Sequence, residues 1–163
     1  MPVIAAIAPA EKFVTLGVGR EVFAVGVDVV REILDLQPMA ALPNAPPFLM
    51  GIIDVRGEAV PVISLRLKLG LPAEASTDQT RIVVTEIPVG DRVLVLGLVA
   101  DRVFEVTELD ESAVEAPPEI GIRWRSDYIR AVARRSGVFV IVFDLARLFA
   151  GEDAALLSSE TEP

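Results

Sequence analysis

The chain has 163 residues, of which 52% are apolar, and carries 24 acids against 15 bases for a net charge of −9. That length allows one compact domain or two very small ones, and the apolar share is ample for a core. The sequence contains neither Cys nor His, which excludes disulfides, thiolate nucleophiles, Cys-based metal sites and a phospho-accepting imidazole. The acidic balance argues against nucleic acid as a partner, because neutralising phosphates needs an excess of Lys and Arg. No apolar run reaches the ~18 residues of a membrane span, and residues 1–11 lack the basic start of a signal peptide. The expectation is a cytoplasmic chain without direct membrane insertion.

Most of the chain reads as short apolar strands punctuated by Gly and Pro, in four hairpins. Phe13 to Leu16 and Glu21 to Val25 flank the turn Gly17-Val18-Gly19-Arg20. Ile52 to Val55 and Ala59 to Ile63 flank Arg56-Gly57-Glu58. Arg81 to Ile87 and Arg92 to Val99 flank Pro88-Val89-Gly90-Asp91. Ile129 to Ala133 and Val138 to Phe143 flank Arg134-Arg135-Ser136-Gly137. Two short helices follow the second and fourth hairpins. Ser64 caps one that Gly70 stops, and Asp144 caps one that Gly151 stops. Strands at this spacing point to small barrels or sandwiches, with strand exceeding helix.

The two halves echo each other. Each reads hairpin, acidic stretch, Ala-Pro-Pro (Ala45-Pro46-Pro47, Ala116-Pro117-Pro118), hairpin, capped helix, and Val62-Ile63-Ser64-Leu65 matches Val142-Phe143-Asp144-Leu145. The expected organisation is one domain over 12–150 with approximate halves 12–75 and 76–150, an N-terminal segment 1–11 and an acidic tail 151–163. Halves of this size are marginal alone and would have to share a core.

Catalytic chemistry finds little support. Asp28, Glu32 and Asp35 read as a solvated rim before they read as an acid–base cluster, and Gly17-Val18-Gly19 has no helix after it to cradle a phosphate. Asp54 and Asp101 stand near strand ends with no partner Lys in view. No cofactor or metal site is expected, and an enzyme would have to rely on carboxylates and Tyr128.

The block from Pro43 through Phe48, Gly51, Asp54-Val55-Arg56-Gly57 and Pro61-Val62-Ile63-Ser64-Leu65-Arg66 resembles the signature of the CheW family. Further blocks in the same order are similar to it: Phe23 to Ile33, Gly97 to Val106, Ala116-Pro117-Pro118, and Val140 to Leu148. Asp54 and Ser64 depart from the family's usual Asn and Asp. The first adds a charge beside Arg56; the second keeps an N-cap acceptor.

The resemblance implies a mainly β fold: two packed five-stranded SH3-like β-barrel subdomains sharing a hydrophobic core, with a few short helices. It implies a non-catalytic adaptor, without cofactor, recruited to membrane receptor arrays. Its partners would be the regulatory domain of a CheA-type histidine kinase and the cytoplasmic hairpin tip of methyl-accepting chemoreceptors. Carried over by position, Val30, Glu32, Ile33, Arg56 and Val103 fall on the receptor-facing side; the kinase-facing residues are not assigned. For each the bland alternative stays open: the apolar three belong to the core, and Glu32 and Arg56 pair with each other. Other readings are a coupling protein of a motility or development array, a small enzyme, and a helix-rich secretion chaperone.

Overall fold

The computed structural model describes Ile7, residues 10–109, the backbone of 114–115, and residues 128–150. Ala116-Pro117-Pro118, Gly151 and the acidic tail lie outside the described residues. The strands are β1 (Lys12–Val18), β2 (Glu21–Gly26), β3 (Val30–Asp35), β4 (Leu49–Val55), β5 (Glu58–Ser64), β6 (Arg81–Val89), β7 (Arg92–Ala100), β8 (Arg102–Glu108), β9 (Val114–Glu115), β10 (Ile129–Arg135) and β11 (Val138–Phe143). The helices are α1 (Leu65–Lys68) and α2 (Leu145–Leu148), and a 3₁₀ turn spans Val27–Val29. The chain is mainly β, as expected.

All four hairpins form, each closing through two residues rather than the longer turns expected from sequence. Two of the loops, Arg56-Gly57 and Ser136-Gly137, have both residues at positive φ (53° and 85°; 55° and 80°). That is the backbone whose twist matches the flanking strands. Glycine adopts it freely, whereas Arg56 and Ser136 are held there at a cost. Both caps form as well: the Ser64 hydroxyl accepts from the Leu67 N–H at 3.2 Å, and an Asp144 carboxylate oxygen accepts from the Arg147 N–H at 3.2 Å.

The strands make two sheets. The first runs β8-β1-β2-β11-β10-β9, five principal strands and the two-residue β9, and the second runs β3-β6-β7-β5-β4. Neither sheet is a chain half. β3 leaves the first half to pair with β6, and β8 returns from the second to pair with β1. The halves 12–75 and 76–150 therefore each contribute strands to both sheets. The registers follow the internal repeat: Gly97 pairs with Val62 as Ala24 pairs with Val142.

Alternation along the strands sorts side chains into three cores. Val14, Leu16, Val18, Phe23, Leu96, Leu98, Leu65 and Phe149 join a large cluster drawing on both sheets, where Phe23 and Phe143 stack with ring centroids 4.7 Å apart. Phe13, Ala24, Ala131, Ala133, Val140 and Val142 fill the inside of the first sheet. Ile53, Val55, Val60, Val62, Ile82 and Val84 fill the second. β1 is covered on both faces and buried from Phe13 to Val18, and its one polar side chain there, Thr15, donates its hydroxyl to the Glu105 carbonyl at 3.2 Å. Replacing Phe149 with Ala would cost about 3–5 kcal/mol, a large part of the ~5–15 kcal/mol that holds a domain folded.

Interleaved pairing makes a direct prediction. Fragments 1–75 and 76–163, expressed separately, show no cooperative melt, because β3 and β5 lack β6 and β7 while β8 and β11 lack β1 and β2. Mixing the two restores a cooperative transition in circular dichroism. A cooperative melt from either fragment alone contradicts the topology.

Candidate docking surface

Each sheet curls until its two edges are tied by side chains. In the second, Arg56 in the β4–β5 loop reaches Glu32 on β3 with two prongs, Nε at 3.2 Å from Oε2 and Nη2 at 2.9 Å from Oε1. Beside it, Arg31 on β3 donates to Glu58 on β5 at 3.0 Å and to Glu86 on β6 through Nε and Nη2. In the first sheet, Arg135 at the end of β10 donates through Nη2 to Glu105 on β8 at 3.0 Å. These ion pairs span the open side of each curled sheet.

Four of the five residues singled out from sequence lie on or against the second barrel's edge. Val30, Glu32 and Ile33 are on β3, with Ile33 exposed and Val30 half-buried against the shared core. Glu32 meets Arg56, so the pairing reading holds for these two; the Arg56 side chain nevertheless remains 78% exposed and presents its outer face to solvent. Val103 is in the other barrel, on β8, half-buried against the same shared core as Val30. The two valines are counterparts. Each pairs next to a bulge, Val30 with Thr85 before the extra residue Arg31, and Val103 with Leu16 before the extra residue Phe104. A bulge re-aims the side chain that follows it, which puts Glu32 and Glu105 within reach of their arginines.

The hydrogen bonds that Arg56 donates hold the Glu32 carboxyl below its usual range and, accepted by Glu32, raise the Arg56 guanidinium; acceptance by Glu86 and Glu58 likewise raises Arg31. These groups are solvated, so the pairs fix geometry more than they add stability.

Sequence reasoning missed the junction between barrels. Asp101 is the one residue between β7 in the second sheet and β8 in the first. Its carboxylate accepts from Arg66 in α1, Nε at 3.0 Å and Nη2 at 2.8 Å, and from the Gly19 N–H at 2.7 Å, while its own N–H donates to the Gly17 carbonyl at 2.9 Å. Hydrogen bonds donated to the Asp101 carboxylate raise the Arg66 guanidinium above its usual value. Both residues stand inside blocks that resemble the family, and their spacing of 35 residues hides the pairing. Asp54 acts locally. Its carboxylate accepts from the Gly57 N–H at 2.7 Å and squares the hairpin loop. An Asn oxygen makes the same bond, so the departure at this position leaves the turn intact.

Among the described residues no group of acids is arranged to hold a metal ion, and no helix is long and apolar enough to cross a membrane.

The Glu32–Arg56 pair can be tested in two ways. The Glu32 carboxyl is depressed in the folded state, so the pair supports the fold above the ordinary carboxylate range and stops doing so as pH falls through the depressed value. The small Tm difference between wild type and Glu32→Gln is constant from about pH 7 to 5, shrinks as pH falls past the ordinary carboxylate range and is gone once the depressed value is passed. A difference that persists at lower pH assigns the effect to packing. The second test concerns the exposed face of Arg56. Glu32→Arg and Arg56→Glu shift Tm by no more than about 3 °C each, and the double exchange returns Tm to the wild-type value. A larger loss from either single exchange makes the pair a structural strut.

Comparison with known proteins follows the same outline. Residues 12–153 match the family described as CheW-like domain. The chain is 25% identical over 142 residues to "Chemotaxis protein CheW" of Rhizobium meliloti (strain 1021), covering 87% of this chain and 89% of that one. It is 33% identical over 109 residues to "Chemotaxis protein CheW" of Bacillus subtilis (strain 168), covering 67% of each. Among solved structures it is similar to the scaffolding protein TtCheW from Thermoanaerobacter tengcongensis, with TM-score 0.75 and 26% identity over 88% of this chain and 94% of that one. The chain belongs to the CheW-like domain family.

Proposed function

We propose that the protein is a non-catalytic adaptor that couples chemoreceptors to a CheA-type histidine kinase in a signalling array. The observation that carries this reading is the family match across 12–153, continuous over both barrels. The lack of His and Cys removes the commonest catalytic side chains, and the surface between the barrels offers a means of working by contact. Val30, on the strand that carries Glu32, and Val103, on the other barrel, are half-buried against the shared core, and Ile33, next to Glu32 in the chain, is 41% exposed. An apolar strip with a charged rim suits a helical hairpin: aliphatic anchors enter the strip, and the rim charges fix its register. Val30, Glu32, Ile33, Arg56 and Val103 are the proposed receptor-facing set. The adaptor works in the cytoplasm, at the membrane-distal tip of the receptor.

The test is reconstitution from purified components: this chain, the regulatory domain of a CheA-type kinase and the cytoplasmic fragment of a chemoreceptor from the same cell. Co-elution of all three is the expected result, and with the intact kinase its activity comes under receptor control. Arg56→Glu loses the receptor and keeps the kinase, and the double exchange with Glu32→Arg restores Tm without restoring receptor binding. Binding to neither partner overturns the adaptor reading. Full receptor binding by Arg56→Glu removes Arg56 from the receptor-facing set.

A further inference from the structure

The two barrels share one plan and differ sharply at one place. The pairs Thr15↔Glu105 and Leu16↔Val103 correspond to Val84↔Glu32 and Thr85↔Val30, with the bulge between them in both. The loops Ser136-Gly137 and Arg56-Gly57 align the hairpin β10–β11 with β4–β5. On that alignment Phe104 is the counterpart of Arg31, Val138 of Glu58, and Gly17 of Glu86. In the second barrel these three positions hold the Arg31–Glu58–Glu86 ion triad that closes its mouth. In the first they hold Phe, Val and Gly.

The exchange is sterically matched. Phe104 lies across Gly17, where a Cβ would come 3.1 Å from its ring; only glycine lets the ring settle there. What results is a shallow groove of about 230 Å³, with Val22, Phe104, Val138 and Val140 along it and the Glu105–Arg135 pair at its side. Phe104 is 45% and Val138 48% exposed, and neighbouring Val106 and Phe139 are 56% and 51% exposed. Half of the eight large apolar side chains exposed among the described residues therefore lie on β8 and β11. The volume is below the ~300–1,000 Å³ of small-molecule sites, and the groove is open, which suits a side chain of another protein.

Charge says which kind. On a chain of net charge −9, this end is rich in arginine. The Arg102 guanidinium sits 4.6 Å from the centre of the Phe104 ring, Arg134 sits 4.6 Å from that of Phe139, and Arg135 borders the groove. We propose that the mouth of the first barrel docks an acidic segment of a partner protein. An aliphatic or aromatic anchor lies against Phe104 and Val138, and flanking carboxylates face Arg102 and Arg135. The apolar contact supplies affinity, and the arginine rim supplies selectivity and a dependence on salt. This surface is independent of the receptor-facing set, with which it shares no residue.

The test rebuilds the second barrel's triad in the first. The variant Gly17→Glu/Phe104→Arg/Val138→Glu replaces the groove with an ion cluster the same fold already accommodates, and Phe104→Ser alone is the milder companion variant. The probe is a phage-displayed library of random dodecapeptides, panned on the full-length protein. Selected peptides are expected to carry a large apolar residue beside Asp or Glu. They bind wild type more weakly as salt rises, bind both variants at least tenfold more weakly, and bind Glu32→Arg/Arg56→Glu undiminished. Absence of binders, binders without carboxylates, or binders that hold both variants equally well overturn the proposal. So does sedimentation showing wild-type dimers that Phe104→Ser dissociates, since the occupant would then be a second copy of the chain.

Discussion

Everything in this molecule depends on how the chain passes between its two sheets. The second sheet takes the consecutive strands β3, β4, β5, β6 and β7, and β8 returns to complete the first sheet beside β1. Closing the first barrel therefore brings the two end regions of the chain together around the second, whose strands are consecutive, and the large core packs between the two. The cost is topological. Long-range pairings such as β1 with β8 must form against loop-closure entropy. In return a chain with small sheets obtains one cooperative unit.

Closure of the sheets then places the charged groups. The same bulge occurs in β3 and β8, and in both barrels it aims a glutamate, Glu32 or Glu105, at an arginine near the facing hairpin loop. The seam between barrels inherits its chemistry from this arrangement. Val30 and Val103 are half-buried because each precedes a bulge at the border of the shared core. Arg56 pairs with Glu32 and is still 78% exposed, because the left-handed backbone of its loop lifts the guanidinium outward. Structural pairing and an outward face therefore coexist on one side chain.

Much of this was legible in the sequence, and the boundary of legibility has a physical cause. Hairpins, caps and the two short helices depend on residues within a few positions of one another. Gly beside Arg56 and Ser136, and Ser64 or Asp144 before a helix, announce them directly. Family resemblance supplied the two-barrel architecture, which hairpin spacing alone left open between barrel and sandwich. What could not be read was pairing at a distance. Arg31 meets Glu58 and Glu86 across 27 and 55 residues, and Arg66 meets Asp101 across 35. The repeat was visible, but two sheets woven from both halves share the sequence pattern of two separate ones. Only the registers, such as Val30↔Thr85 and Leu16↔Val103, distinguish them.

The single-residue passage at Asp101 bears on how an adaptor can transmit anything. A long flexible linker between barrels would absorb a displacement applied to one of them. Here the chain crosses in one step, and that residue is bound at once to the Gly19 loop of the first barrel and to Arg66 in the helix that follows β5 of the second. The distance and angle between the two barrels are thus set at a single residue, beside the core they share.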